Sequence, residues 1–217
     1  AIICHVINGK KPAEMPELVL PKEIMEKNVK KQKKHIISIA GDLASGKGTT
    51  SKILMERLNF TIYRNGEYFR KLAKEMNMDV TSFNRYVEKH PEIDRQIENS
   101  ASEHAKNNDN FVIDARLGWY AVPESYKVYL KTDINVAAER AFNDSERKDT
   151  ESFATVEEQK KDMILRYELE NKRYFELYGV HKEDMSNYDL VIDTTELMPE
   201  QVADMIIKGY EKWLKED

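Results

Sequence analysis

A single cysteine, Cys4, stands among 217 residues, which excludes an intramolecular disulfide and fits a reducing compartment. Long hydrophobic runs are lacking as well. The longest, residues 1–7 and 36–40, fall far short of the roughly 20 residues of a membrane-spanning helix. We expect neither a span nor a secretory leader, so the sequons at Asn59 and Asn143 carry no meaning here. The five histidines are scattered, none with cysteine or glutamate at a metal-site spacing, and His5 beside Cys4 is too weak a pattern to read as zinc. No structural metal is expected. Basic charge is not in excess either. With 34% charged residues and a formal net charge of −5, the chain reads as soluble and cytoplasmic, not as a protein that coats nucleic acid. The length suits one core plus small insertions.

Residues 1–34 form an amino-terminal extension, interrupted by Pro12, Pro16 and Pro21 and ending in the basic run Lys30-Lys31-Gln32-Lys33-Lys34. That run reads as a solvated linker entering the core, or as an arm for an acidic partner. From residue 36 onward, short apolar runs alternate with longer segments of helical period, the pattern of βα units around a parallel sheet. Strands are expected at 36–40, 60–64, 111–114, 126–131 and 190–193. Helices are expected near 47–58, 66–76, 91–106, 135–142, 156–177 and 199–214. Phe83, Tyr86 and Val87 fall on a further helical stripe, which reads as core in preference to a stacking platform.

The first strand runs into Gly41-Asp42-Leu43-Ala44-Ser45-Gly46-Lys47-Gly48-Thr49-Thr50, a Gly-x4-Gly-Lys pattern between a strand and a helix. This is a phosphate-binding loop. Its glycines let backbone N–H groups turn inward, the helix points its positive end at the phosphates, and Lys47 adds a mobile charge for the β and γ oxygens. The position after the lysine is Gly48, and the hydroxyl that can serve Mg²⁺ comes one residue later, at Thr49. No Asn-Lys-x-Asp element for guanine is present, which disfavours a regulatory GTPase.

After the second strand come Gly66 and, one helical turn on, Arg70, whose guanidinium fork matches phosphate oxygens. Taken alone, Arg70 is a surface arginine. Asp114 and Arg116 stand at the end of the third strand, at the sheet edge where open α/β proteins bind ligands. They suit a metal's water shell and an acceptor, or else a plain ion pair closing the strand. Further cations follow at Arg140, Arg147, Arg166 and Arg173. The last two lie seven residues apart on one helical stripe, able to reach one phosphate chain together or to form a solvated face with Glu170.

Gly-Lys-Gly-Thr and the segment Gly66-Glu67-Tyr68-Phe69-Arg70 resemble nucleoside monophosphate kinases, with Glu67 where those have Asp. Asp114-Ala115-Arg116-Leu117-Gly118-Trp119, Arg166 through Tyr174, Tyr178-Gly179-Val180 and Tyr188 through Thr194 resemble the archaeal-type cytidylate kinases, with Ala115 where they have glycine. Pro91-Glu92-Ile93-Asp94 resembles their acceptor-binding insertion. The likeness implies a three-layer phosphate-loop fold with a five-stranded parallel sheet, spanning residues 35–217, with an acceptor-binding insertion at about 66–107 and a short lid at about 140–173. It implies transfer of a phosphoryl group from ATP to CMP or dCMP, with Mg²⁺ at Thr49 and Asp114. Gly41 and residues 44–50 (Ala44, Ser45, Gly46, Lys47, Gly48, Thr49, Thr50) would hold ATP, and Gly66, Arg70, Asp114 and Arg116 the acceptor. Lys47, Arg140, Arg166 and Arg173 would be catalytic. Replacing Arg166 or Arg173 by Ala should then cut turnover by about 10³–10⁵ with folding intact. Small nucleotides are the expected partners, without nucleic acid or membrane. Two other readings stay open: a kinase for AMP, UMP or a metabolite hydroxyl, and a non-catalytic nucleotide-gated switch.

Overall fold

The computed structural model describes residues 33–144 and 153–216; Arg147 therefore lies outside the described residues. At its centre is a parallel sheet of five strands in the order β2-β3-β1-β4-β5: β1 (Ile36–Gly41), β2 (Thr61–Arg64), β3 (Phe111–Asp114), β4 (Tyr126–Lys131) and β5 (Leu190–Asp193). Ile37 of β1 registers with Val112 on one side and Tyr126 on the other. Every residue of β1 is buried, which explains why this strand reads as an unbroken apolar run and not as an alternating one.

Alternation along β1 sends Ile37 and Ile39 to one face and Ile36 and Ala40 to the other. On the first face they pack with Leu54 of α1 (Lys47–Leu58) and with Val202, Ile206 and Tyr210 of α8 (Pro199–Lys215). Opposite them, Ala105 of α4 (Pro91–Asn107), α5 (Gly118–Ala121) and Tyr174 of α7 (Val156–Tyr178) cover the sheet. Each fully buried aliphatic side chain contributes about 1.5–3 kcal/mol, so these two layers carry the fold. The polar Ser38 of β1 is satisfied inside this core, accepting from Ser125 Oγ at 2.8 Å.

Between β2 and β3 the chain inserts α2 (Asn65–Glu75), α3 (Val80–Glu88) and α4. These have a small core of their own, in which Phe69, Ala73, Phe83 and Val87 meet. Phe83 and Val87 are fully buried, as a core stripe requires. Asp79 caps α3 by accepting from Ser82 N at 2.8 Å. After β4 come α6 (Ile134–Asn143), capped by Asp133, and α7, capped by Thr155 and ended by Gly179 in the left-handed conformation.

The expected elements agree with the observed ones to within a residue or so. The additions are α5, a single turn too short to show a period, and a 3₁₀ turn at Met185–Asn187. The last two lysines of the basic run are half-buried and anchored on the core: Lys33 Nζ donates to the carbonyls of Trp213 (2.6 Å) and Glu216 (2.5 Å), and Lys34 Nζ to that of Ala105. Both place a cation against the carboxyl end of a helix, α8 and α4 respectively, where carbonyls and dipole favour it.

Candidate active site

The chain leaves β1 toward β2 and β3 on one side, while β4 and β5 lie on the other. The carboxyl ends of β1 and β3 therefore flank the switch point where such sheets open a crevice. The phosphate loop occupies it. Gly41 closes β1 with φ 149°, and a Cβ there would stand 2.3 Å from the Leu130 carbonyl oxygen, so only glycine fits. Gly46 and Ala44 also take positive φ, of 86° and 56°. The loop is braced from behind. Asp42 accepts from the Tyr129 hydroxyl (2.7 Å) and from Thr132 N (2.9 Å), while Thr194 Oγ1 donates to Ser45 O at 3.1 Å. Burial, and then the Asp42 carboxylate, push the Tyr129 hydroxyl far above its usual pKa and keep it a donor. Lys47 Nζ lies along the loop, donating to Gly41 O (3.0 Å) and Asp42 O (2.6 Å).

A cleft of about 600 Å³ opens over this loop. Its walls bring together Ala44, Ser45, Gly46, Lys47, Gly48, Thr49 and Thr50 with Gly66, Arg70, Asp114, Arg116, Arg140, Arg166 and Arg173. Of the expected site residues that the structure describes, only Gly41 stands outside it, serving the turn from within β1. Asp114 lies between the two halves: a Cβ added to Gly48 would be 3.8 Å from its Oδ2, and Arg64 Nε is 3.9 Å from the same atom. Burial raises the pKa of Asp114, while Lys47, Arg64, Arg116 and Arg70 oppose that rise. Arg70 is exposed, with Gly66 beneath its guanidinium, and Glu67 accepts from Arg64 Nη1 at 2.9 Å.

The stripe of α7 departs from the solvated reading of its sequence. Arg166, Glu170 and Arg173 are 3%, 2% and 3% exposed, so this is no solvated face. Glu170 Oε2 takes Arg116 Nε at 2.7 Å and Lys182 Nζ at 3.1 Å. Burial alone would raise its pKa, yet Arg116, Lys182, Arg166 and Arg173 hold it down at about 2. Arg173 pairs with Asp94 (Nε to Oδ2, 2.5 Å) and donates to Asn84 Oδ1 at 3.0 Å. The Asp94 contact is an ion pair not aligned as a hydrogen bond. Arg166 Nη1 is 3.8 Å from Asp162. Asp114 and Arg116, weighed as partners of each other, face Arg64 and Glu170 respectively. Arg140 Nη2 donates to the carbonyls of Thr194 (2.9 Å) and Thr195 (3.0 Å), tying α6 to the loop after β5.

Sequence reasoning passed over Arg64, Asn84 and Glu98, which also line the cleft, and Lys182 behind it. A signal for Glu98 existed. The buried stripe of α4 runs Asp94, Glu98, Ala101, Ala105 at helical spacing, so the same periodicity that marks the alanines as core marks two acids with them. Burial raises the pKa of Asp94 to about 6 against the pull of Arg173, and burial together with Asp94 raises that of Glu98 to about 8.

The strand order, the loop at the end of the central strand and the cleft above it define a phosphate-loop kinase. Solved structures share this fold: shikimate kinase from Bacteroides thetaiotaomicron (TM-score 0.56, 14% identity, covering 83% of this chain and 98% of that one) and a gluconokinase from Sinorhizobium meliloti 1021 (TM-score 0.54, 12% identity, 85% and 95%). At such identities the likeness speaks for fold alone. Sequence relatives narrow the class. The cytidylate kinase of Thermoplasma volcanium is 32% identical over 186 residues, covering 83% of this chain and 94% of that protein. The cytidylate kinase of Pyrococcus horikoshii is 37% identical over 171 residues, covering 78% and 84%. Residues 36–196 match the model of the cytidylate kinase-like family, and the chain belongs to that family and is a kinase.

Among the described residues, no helix is long and apolar enough to cross a membrane, and no group of three or more His, Cys, Asp or Glu side chains could hold a metal ion.

Proposed function

We propose that the protein transfers the γ-phosphoryl group of ATP to a nucleoside monophosphate, CMP or dCMP, in the cytoplasm. The observation that carries this reading is a single cleft with two sets of cations. Lys47 and the loop lie on one wall, Arg70 and Arg64 on the other, and Asp114 stands between them.

ATP and a monophosphate bring roughly six negative charges together, and two like charges ~4 Å apart repel by about 4 kcal/mol at an effective dielectric of ~20. The walls answer that repulsion. Lys47 exchanges the loop carbonyls for the β and γ oxygens, and Arg70 takes the acceptor's phosphate in its fork and holds an oxygen in line. Arg116 and Arg166 neutralise charge that develops in transit. Arg173 orients the acceptor wall through Asp94 and Asn84. Arg140 belongs to the ATP side, where it steadies the loop after β5.

A hard cation suits the oxygen donors at this point. The Asp114 carboxylate is close to Gly48, and the neighbouring Thr49 hydroxyl is exposed to the same cleft. Mg²⁺ typically takes one or two protein oxygens and completes its shell with water and phosphate, so Thr49 and Asp114 suffice to hold it. When bound it would neutralise charge on the phosphate oxygens. We assign residues 66–107 as the acceptor-binding insertion and 140–173 as the lid that excludes water from the reaction.

A coupled ADP-release assay with Mg-ATP and CMP, dCMP, UMP, AMP and GMP tests the reading. CMP and dCMP should give the highest kcat/KM. The absence of turnover with every monophosphate would overturn it.

A further inference from the structure

Where the acceptor wall meets the sheet, two polar side chains face the cleft with their hydrogen bonding incomplete. Asn65 opens α2 and is 7% exposed; Glu98 lies on the buried stripe of α4 and is 8% exposed. Asn65 Nδ2 donates to Glu98 Oε1 at 3.4 Å. Asn65 Oδ1 and Glu98 Oε2 are buried and have no hydrogen-bond partner among the described residues. Buried polar atoms are nearly always paired, so a pair left open in the wall of a binding cleft points to a ligand that completes it.

The internal bond sets the polarity of the two open atoms. Since Nδ2 donates to Oε1, that oxygen acts as the carbonyl, and a proton on this carboxyl sits on Oε2. The surroundings keep such a proton there. Asp94 lies one turn away on the same helix, Tyr178 of α7 faces the group, and the cations Arg173 of α7 and Arg116 offset burial only in part, leaving Glu98 neutral up to about pH 8. Together the pair offers one acceptor, Asn65 Oδ1, beside one donor, Glu98 Oε2–H.

We propose that Asn65 and Glu98 read the base of the acceptor nucleotide, Oδ1 accepting from an exocyclic amino group and Oε2–H donating to the adjacent ring nitrogen. Glu98 is thus a specificity-determining residue, and the bases it takes carry an amino group next to an unprotonated ring nitrogen, as cytosine does. Uracil presents the reverse order, a carbonyl beside a ring N–H. Accepting it would require the Glu98 proton to move to Oε1, against the Asn65 N–H, and would set two oxygens against each other at Oδ1. Sites built around buried hydrogen bonds reject a mismatched partner strongly, because their own groups are then left unpaired. This inference rests on the monophosphate-kinase reading above and adds the edge of the base to it.

The experiment compares kcat/KM for CMP and UMP in the wild type, Glu98→Gln and Glu98→Leu between pH 6.5 and 9.5, with thermal melts confirming folding. The wild type should prefer CMP by about 100-fold or more at pH 7, and this preference should collapse above about pH 8 as the donor is lost. Glu98→Gln keeps a donor and a carbonyl at the same place. It should retain a preference within about tenfold of the wild type's at pH 7, with no fall above pH 8. Glu98→Leu should bring the two substrates within about tenfold of each other. Failure of the wild type to phosphorylate any monophosphate overturns the function reading itself. Equal use of CMP and UMP by the wild type, or a pH-dependent preference surviving in Glu98→Gln, overturns the role of Glu98 alone.

Discussion

Replacing Arg173 by Ala should unfold the protein more readily as well as slow it. In the sequence this arginine reads as a lid cation whose loss leaves folding intact. In the structure it is 3% exposed, 2.5 Å from Asp94 and 3.0 Å from Asn84 Oδ1, with its guanidinium 5.3 Å from the centre of the Tyr174 ring. Truncation leaves the Asp94 carboxylate buried beside Glu98 and Glu170 with its nearest cation removed. Breaking a buried pair in this way costs about 3–5 kcal/mol, against a total of about 5–15 kcal/mol for an ordinary domain. At about 2–4 °C per kcal/mol for a domain of this size, the melting temperature should fall by about 6–20 °C. The pH dependence gives a second handle. Asp94 already has a pKa raised to about 6, and losing Arg173 raises it further. A carboxyl raised in the folded state costs nothing below its unfolded value near 3.8 and costs more as pH climbs, so the deficit should be smaller at pH 5 than at pH 8. Adding Asp94→Asn to Arg173→Ala should restore on the order of 2 kcal/mol at pH 8, since the two residues couple directly. Urea or thermal melts of the four proteins in the cycle measure this. An Arg173→Ala protein within about 1 kcal/mol of wild type, or a double variant showing no recovery, refutes the reasoning.

Lys47→Met should reduce kcat by about 10³-fold or more while the melting temperature moves little, because the lysine's loop contacts are partly solvated and its charge acts on the phosphates; the coupled assay and a melt distinguish the two. Gly41→Ala should cost about 3 kcal/mol or more, since its Cβ would meet the Leu130 backbone at 2.3 Å, whereas Gly46→Ala, with nothing within 4 Å, should cost only about 1–2 kcal/mol for its positive φ. Denaturant melts give both values. Glu170→Gln strips the shared anion from Arg116 and Lys182. Burial already lowers the Lys182 pKa and Glu170 counteracts it, so the variant's lysine sheds its proton more readily. A lysine depressed in the folded state loses stability as pH falls, and the variant's deficit should therefore be larger at pH 6 than at pH 9, as seen in melts across that range.

The strands and the phosphate loop were legible because their determinants are local. β1 is apolar on both faces, and the loop carries its glycines at fixed offsets from a strand end. The long helix α7 was legible in extent but not in meaning. Its run of Glu, Lys and Arg has the composition of a solvated surface, and whether Glu170 is buried depends on Arg116 and Lys182, which come from other segments of the chain. The same limit hid the capping role of Lys33 and Lys34, whose acceptors are carbonyls at the far ends of α8 and α4. Glu98 was hidden for a different reason: an acid on a core stripe contradicts binary patterning, and such contradictions gather where a ligand is to be met.

The small core shared by Phe69, Ala73, Phe83 and Val87 lies apart from the two layers that hold the sheet. Stiffness and adaptability thus reside in different places: the chassis beneath the phosphate loop is welded to β4 and β5, while the inserted helices α2 to α4 have their own keel. On the proposed function, repacking that keel offers a route to new acceptors in which the welds at Gly41, Asp42 and Thr194 stay untouched.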